Sequence, residues 1–274
     1  MNTNFLSLLA IMAYLAVGFV LAVRLFGRLP AEHALLRLNK IWLLLIAGAG
    51  AIIHAGVLYT NIFATAAGGL NFSFFNAASL MTWLAAALLL LAAASKPVES
   101  LGMVILPSAA IALALELMYP ATHLLLSADA AELRYHIVIS ILAYSTLSIA
   151  ALQSLVVWVQ NRSLRAKHPG GFIRSFPPLE TMESLLFQMI AVGFAFLTLS
   201  LLTGLPRIDD MFAQHQAHKT ILSIIAWCFF AVLLWGRWRF GWRGRTAVRW
   251  ALSGFVVLLL AYFGVKLVKE LLLG

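Results

Sequence analysis

The side chains best suited to do chemistry in this chain are its seven histidines: His33, His54, His123, His136, His168, His215 and His218. Imidazole is a good ligand for iron. His54 lies within an apolar run, where an ionisable side chain is costly to place. Ala47, Gly50 and Ala51 precede it by seven, four and three residues, so small side chains share its helical face. That face admits close approach by a flat ligand, by an iron that His54 would ligate axially, or by a neighbouring helix to which His54 is hydrogen-bonded. His136 heads a second pattern. Ser140, Tyr144 and Ser148 follow it at steps of four, which gives a polar stripe on an otherwise apolar helix. Such a stripe faces a partner helix or a cavity, because polar atoms left in hydrocarbon are costly. His123 stands in a polar loop after Pro120. His215 and His218 are three apart and fit one helical turn as a metal pair, yet no cysteine or clear third ligand stands near them.

An apolar, water-poor pocket lined by imidazole is suited to heme. Two histidines on different helices, His54 and His136 or His136 and another, would clamp the iron, and Arg134, Arg207 and Lys219 would neutralise the propionates. The heme would be b-type and non-covalent. The single cysteine, Cys228, lies inside an apolar run, which excludes an intramolecular disulfide, a CxxC motif and covalent heme attachment. The sequence contains no P-loop, Rossmann glycine loop, HExxH or GxSxG pattern, and no catalytic residue is assigned.

The elements that position these side chains follow from composition. Of 274 residues, 63% are hydrophobic and 11% charged, whereas a soluble domain carries about 25% charged residues. The chain reads as an all-α, polytopic membrane bundle forming one transmembrane domain over residues 1–274. About 20 residues cross the hydrocarbon. Eight apolar runs meet that length, near 4–23, 41–62, 73–94, 99–118, 135–159, 181–203, 219–236 and 250–272. Pro107 falls inside the fourth, where it should kink the helix or remove a hydrogen bond. Pro177 and Pro178 mark the start of the sixth, and Gly204 and Pro206 its end. The first run has no basic residues before it, so it reads as a retained helix.

Charge sets the orientation. Fourteen lysines and arginines fall on the side reached after helices one, three, five and seven, against five on the other. The positive-inside rule makes the richer side cytoplasmic and puts both termini outside. The net charge of +9 is then a matter of topology, and nucleic acid is not an expected partner. His123, His136, His215 and His218 fall on the outer side, and His54 lies within its span toward that side. Trp42, Trp158, Trp235, Trp238, Trp242 and Trp250 fall at cytoplasmic helix ends, as an interfacial belt requires.

Several segments carry a resemblance. LRYHIVISILAYSTLSIAALQ, from Leu133, resembles the His-containing helix of the cytochrome c assembly family, whose members include the CcsA and CcmC types. FSFFNAASLMTWL from Phe72 is similar to that family's Asn-containing helix start. FLTLSLLTG from Phe196, HKTILSIIAW from His218 and GWRGR from Gly241 are similar to later segments, in the same order. The resemblance implies heme held on the outer side for delivery to apocytochrome c, with His136 in a heme-ligand position, His54 as the intramembrane histidine and His123 in an outer loop. It also implies other cytochrome c assembly proteins as partners, beside heme and the bilayer. In one respect the chain departs from the pattern. The loop GLPRIDDMFAQHQAH, 204–218, holds no tryptophan where the family carries a WGxxWxWD platform. In this it is similar to the eight-helix HemX/YpjD-type members.

The expectation is a heme-binding membrane protein, not an enzyme, that holds, exports or passes on heme in cytochrome c biogenesis. Two alternatives stay open: a membrane scaffold or regulatory subunit without heme, for instance in tetrapyrrole metabolism, and a small-molecule permease. Against the last stands the lack of an inverted repeat with matching broken helices.

Overall fold

A computed structural model describes residues 3–26, 38–63, 70–71, 73–120, 124–125, 131–166, 176–204 and 217–261. These residues form eight α-helices: α1 (Thr3–Phe26), α2 (Lys40–Leu58), α3 (Phe74–Ser95), α4 (Gly102–Met118), α5 (Ala131–Arg165), α6 (Leu179–Gly204), α7 (Ala217–Phe240) and α8 (Gly244–Leu259). A two-residue antiparallel pairing, β1 (Leu70–Asn71) with β2 (Leu124–Leu125), is the strand content of the described residues. Among the described residues seven helices are long and apolar enough to cross a membrane, and the chain is a multi-pass membrane protein. The helices turn Phe5, Met12, Phe19, Ile52, Leu91, Val192 and Ile221 outward, the surface expected of helices solvated by lipid.

The chain divides into two compact units: Met1–Ala128, grouped with Arg174–Phe176, and the remainder, Asp129–Ile173 with Pro177–Gly274. In the first, α1 packs on α2 and α4, and α3 packs on α2 and α4. Its helix starts follow capping chemistry. Asn39 accepts the Ile41 N–H at 3.1 Å ahead of α2, and Ser73 accepts the Asn76 N–H at 3.4 Å ahead of α3. Pro107 lies inside α4 without ending it. Its ring takes the place where a Gly18 side chain would stand: a Cβ there would come within 2.8 Å of Pro107 Cγ. At one end of the unit Lys40 pairs with Glu99 at 3.2 Å, and the Arg24 guanidinium donates to the Leu38 carbonyl.

In the second unit α5 lies along α6, and α8 packs on both α5 and α7. The α5–α6 approach is close because Gly193 faces Leu147. A Cβ at 193 would sit 2.6 Å from Leu147 Cδ2, and Leu147 is fully buried. Small residues of this kind let membrane helices gain dispersion contact where no hydrophobic effect drives them together. α6 begins directly after Pro177–Pro178, whose carbonyls cap neighbours: Pro177 O accepts from Gln160 Nε2 at 2.8 Å, and Pro178 O from Met182 N at 3.2 Å. The α7–α8 turn uses two glycines with positive φ, Gly241 at 63° and Gly244 at 54°.

The expected spans coincide with the helices to within a few residues for the first seven. α5 is the longer surprise, running past the membrane-length core to Arg165. The described part of the eighth, α8, has 16 residues, and residues 262–274 of the expected run lie outside the description.

Gly193→Ala should destabilise the detergent-solubilised protein by about 1–3 kcal/mol, the usual cost of overpacking. Gly48→Ala, whose new Cβ would meet nothing within 4 Å, should leave the melting temperature unchanged or slightly raised. Thermal melts of the two variants beside the parent check the contrast.

Candidate functional site

The two described histidine side chains, His54 and His136, sit in different units and in different kinds of surroundings. His54 is fully buried. Its Nε2 lies 2.9 Å from Ser79 Oγ on α3, and its Nδ1 lies 3.4 Å from the Tyr14 hydroxyl on α1. The Tyr14 ring also meets the imidazole edge-on, with centroids 5.8 Å apart. A neutral imidazole has one donor and one acceptor nitrogen. Tyr14 and Ser79 therefore play opposite roles, one receiving the ring N–H and the other giving its hydroxyl proton. Both ring nitrogens are engaged.

The network continues beyond Ser79. The Ser79 hydroxyl also interacts with the carboxyl of Glu116 on α4. Glu116 Oε1 accepts from Asn61 Nδ2 at 2.8 Å, while its buried Oε2 has no hydrogen-bond partner. Asn61 stands on the π-helical turn Tyr59–Phe63 that extends α2. A π turn widens the helix by one residue per turn and so re-aims the side chains beyond it. Five polar side chains from four helices thus form one chain through the first unit: Tyr14, His54, Ser79, Glu116 and Asn61.

The small residues before His54 are taken up by the same unit. A Cβ on Gly50 would stand 3.0 Å from Ala13 Cβ and 3.6 Å from Tyr14 Cε1, and Trp83 Nε1 donates to the Ala51 carbonyl at 2.8 Å. α1 and α3 therefore fill the face that admitted a flat ligand. Of the α3 polar residues, Ser79 bridges helices. Thr82 returns its hydroxyl to Ala78 O and Ser79 O, and the Asn76 amide donates to Asn71 O nearby in sequence.

His136 is half-buried on α5. Its Nδ1 lies 3.0 Å from Thr203 Oγ1 on α6. The single Thr203 hydroxyl proton is directed to its own helix, with Leu199 O and Ser200 O each at 3.0 Å. A hydroxyl so engaged is able to accept from a His136 Nδ1–H, which is the tautomer that carries the lone pair on Nε2. One turn along, Ser140 donates to His136 O at 2.7 Å, which leaves Ser200 to donate to Ser140 at 2.7 Å. The stripe thus faces α6. Tyr144 is buried, and Ser148 donates to Tyr144 O at 2.7 Å. At the mouth of this contact a Cβ on Gly204 would come within 3.2 Å of His136 Cε1, so the glycine leaves the ring its room.

His123, Arg207 and His215 lie outside the described residues, as do the side chains of Arg134 and His218. Lys219 is half-buried at the start of α7. No group of three or more His, Cys, Asp or Glu residues able to hold a metal ion occurs among the described residues.

Sequence reasoning singled out His54 and His136, but not the buried carboxyl of Glu116 that shares the His54 network. The structure buries Glu116 against Asn61. Asn61 was missed. Its signal is weak, since it follows the apolar run of α2 and reaches Glu116 through an irregular turn that periodicity does not foresee.

A multi-pass helical membrane fold with a histidine on the polar stripe of a long helix defines a class, and comparison with known proteins names it. The profile described as Cytochrome C assembly protein matches residues 42–273, and the chain belongs to that family. It is similar to "Inner membrane protein YpjD" of Escherichia coli (strain K12), 32% identical over 270 residues, 97% of this chain and 98% of that one. It is also similar to "Cytochrome c biogenesis protein CcsA" of Prochlorococcus marinus (strain MIT 9515), 32% identical over 152 residues, 48% of this chain and 49% of that one. A third relative, an uncharacterized 28.8 kDa protein of Azospirillum brasilense, is 35% identical over 141 residues, 51% of this chain and 52% of that one. No solved structure matches the chain.

The buried network makes a measurable statement. His54→Ala and Ser79→Ala should each destabilise the first unit, and their double variant should cost less than the sum by about 0.5–3 kcal/mol. Chemical unfolding in detergent micelles gives that coupling. Strict additivity would mean that the two side chains do not bond.

Proposed function

We propose that this protein handles heme in cytochrome c biogenesis, as a multi-pass protein of a bacterial inner membrane with His136 as its heme-ligating residue. The observation that carries the reading is the contact of His136 Nδ1 with Thr203 Oγ1, beside a glycine that leaves the ring room. Metal-ligating imidazoles are commonly held by a hydrogen bond from the other ring nitrogen, which fixes tautomer and orientation. Thr203 supplies that bond here, at 3.0 Å. Family membership and the similarity to a protein named for cytochrome c biogenesis support the same reading. The name of the E. coli relative supports the inner membrane, and the arginine distribution supports periplasmic termini.

When bound, heme supplies an iron that accepts an imidazole lone pair and two propionates that need cations. The chain's own part is limited to holding and orienting. α5 and α6 fix the His136 ring through Thr203, the Ser140–Ser200 bond locks the next turn, and Gly204 keeps space beside the ring. No covalent bond is made or broken on the chain, so it acts as a carrier and not as an enzyme, within one transmembrane domain. Lys219, with Arg134 and Arg207, would offer charge to the propionates, and His123 remains a second outer imidazole for the iron. The heme would be b-type and non-covalent. Other assembly proteins would take it on.

A second reading has an observation of its own. His54 is fully buried with both ring nitrogens used, which suits a structural role. For His54 to bind iron it must first release Tyr14 or Ser79. A scaffold that keeps this network and binds no heme is therefore the competing reading, and the tryptophan-free stretch 204–218 is consistent with it.

The visible spectrum separates the two. Protein purified in detergent after expression with added heme precursor should show a Soret band. His136→Ala should lose it, and Thr203→Val should weaken heme retention by about 10-fold, the common cost of removing such a supporting partner. His54→Ala should lower stability and leave the band in place. A colourless parent protein would overturn the heme reading in favour of the scaffold.

A further inference from the structure

The basic residues at the far end of α5 take no part in the site above. In the second unit they are gathered. Trp158, Asn161, Arg162 and Arg165 on α5, with Arg245 in the first turn of α8, line one recess of about 220 Å³. We propose that this recess is a binding site for a phosphate-class oxyanion.

The recess is held in shape from beneath. Asn161 is 8% exposed, and its Oδ1 accepts from Arg165 Nε at 3.2 Å, which steers that guanidinium. The Arg162 guanidinium lies over the Trp158 ring, 5.6 Å from its centroid. Arg245 is placed by the turn before it. Gly244 adopts φ 54°, and its N–H donates to Glu183 Oε1 at 2.9 Å. A Cβ at 244 would come within 2.9 Å of Asn161 Nδ2, so only glycine brings α8 this close to α5. α8 starts here without a side-chain cap, and the first turn of a helix is its positive end.

Charge then decides what fits. Three guanidiniums share one recess, and among the described residues none of them is within ion-pair distance of a carboxylate. Glu183 is the acid nearest the turn, but it is buried and accepts from Gly244 N–H. Like charges so placed repel unless an anion joins them. Guanidinium forks match phosphate oxygens in pairs, and a tetrahedral phosphate offers oxygens in several directions to cations arriving from two helices. A lone carboxylate would satisfy one fork. The half-exposed Trp158 beside the recess is the kind of amphipathic ring found at headgroup level. The same chemistry has two sources, the headgroup of an anionic phospholipid or a free phosphate compound from the aqueous side.

The test uses the full-length, delipidated protein in detergent. Native mass spectrometry measures retention of phosphatidylglycerol against phosphatidylcholine, and calorimetry measures binding of inorganic pyrophosphate. One phosphatidylglycerol retained in preference to phosphatidylcholine, with no pyrophosphate heat, assigns the headgroup. Pyrophosphate binding that displaces the lipid assigns the free compound. In either case R162Q/R245Q should weaken binding by about tenfold or more, the worth of lost charge-assisted hydrogen bonds. R239Q removes an exposed arginine that stands outside the recess, 5.9 Å from the Phe240 ring, and should change binding little. If the glutamine variant does not fold, R162K/R245K keeps the charge without the fork and should still weaken binding. Binding of neither probe, equal retention of both lipids, or equal weakening by R239Q would overturn the proposal. The heme spectrum should be the same in all these variants, so failure here does not bear on His136.

Discussion

Inside an apolar bundle every polar side chain must find its partner within the protein, because lipid offers none. That constraint shapes both units. In the first, Tyr14, His54, Ser79, Glu116 and Asn61 hand hydrogen bonds from one helix to the next. In the second, His136 and Ser140 on α5 meet Thr203 and Ser200 on α6, and Trp227 Nε1 reaches Thr198 at 2.9 Å. Such bonds specify which helix faces which more than they add stability, since each is worth about 0.6 kcal/mol on average in a membrane. Close packing does the rest, at places such as Gly18 on Pro107 and Gly193 on Leu147.

The same constraint separates the two histidines by role. An imidazole offers one lone pair when neutral. For His54 both nitrogens are spent within the network, so its ring is a structural joint as it stands. For His136 the Thr203 hydroxyl, which also reaches its own helix carbonyls, meets Nδ1 and suits the tautomer with the lone pair on Nε2. Two residues of one type, both expected to serve iron, thus differ in what their neighbours permit. The difference lies in the hydroxyl next to each ring and not in burial alone.

Much of this was legible in the sequence because lipid-facing helices write their length in hydropathy. The first seven helices fall where the apolar runs are, and the four-residue steps from His136 mark the face that meets α6. Three features were not legible. The π turn that carries Asn61 has no periodic signature. The partners of a buried residue on other helices, such as Ser79 for His54, depend on which helices adjoin, and spacing within one helix says nothing of that. The small residues before His54 fit a flat ligand and a neighbouring helix equally well, since both need only the absence of side chain. Contacts from Ala13, Tyr14 and Trp83 decide between them.

Arginine at a helix end has two readings that sequence alone merges. As a topogenic charge it needs only to be on the cytoplasmic side, and its side chain is free to spread into water. As part of a site it must be steered. Arg165 is steered by Asn161, Arg162 lies on Trp158, and Arg245 is fixed by a glycine turn bonded to Glu183. Topology alone would not call for a nearly buried asparagine or a left-handed glycine to support its charges. Their presence beneath three guanidiniums is the physical reason to read this end of α5 as a receptor for an oxyanion, distinct from Arg239, which lies exposed at the end of α7.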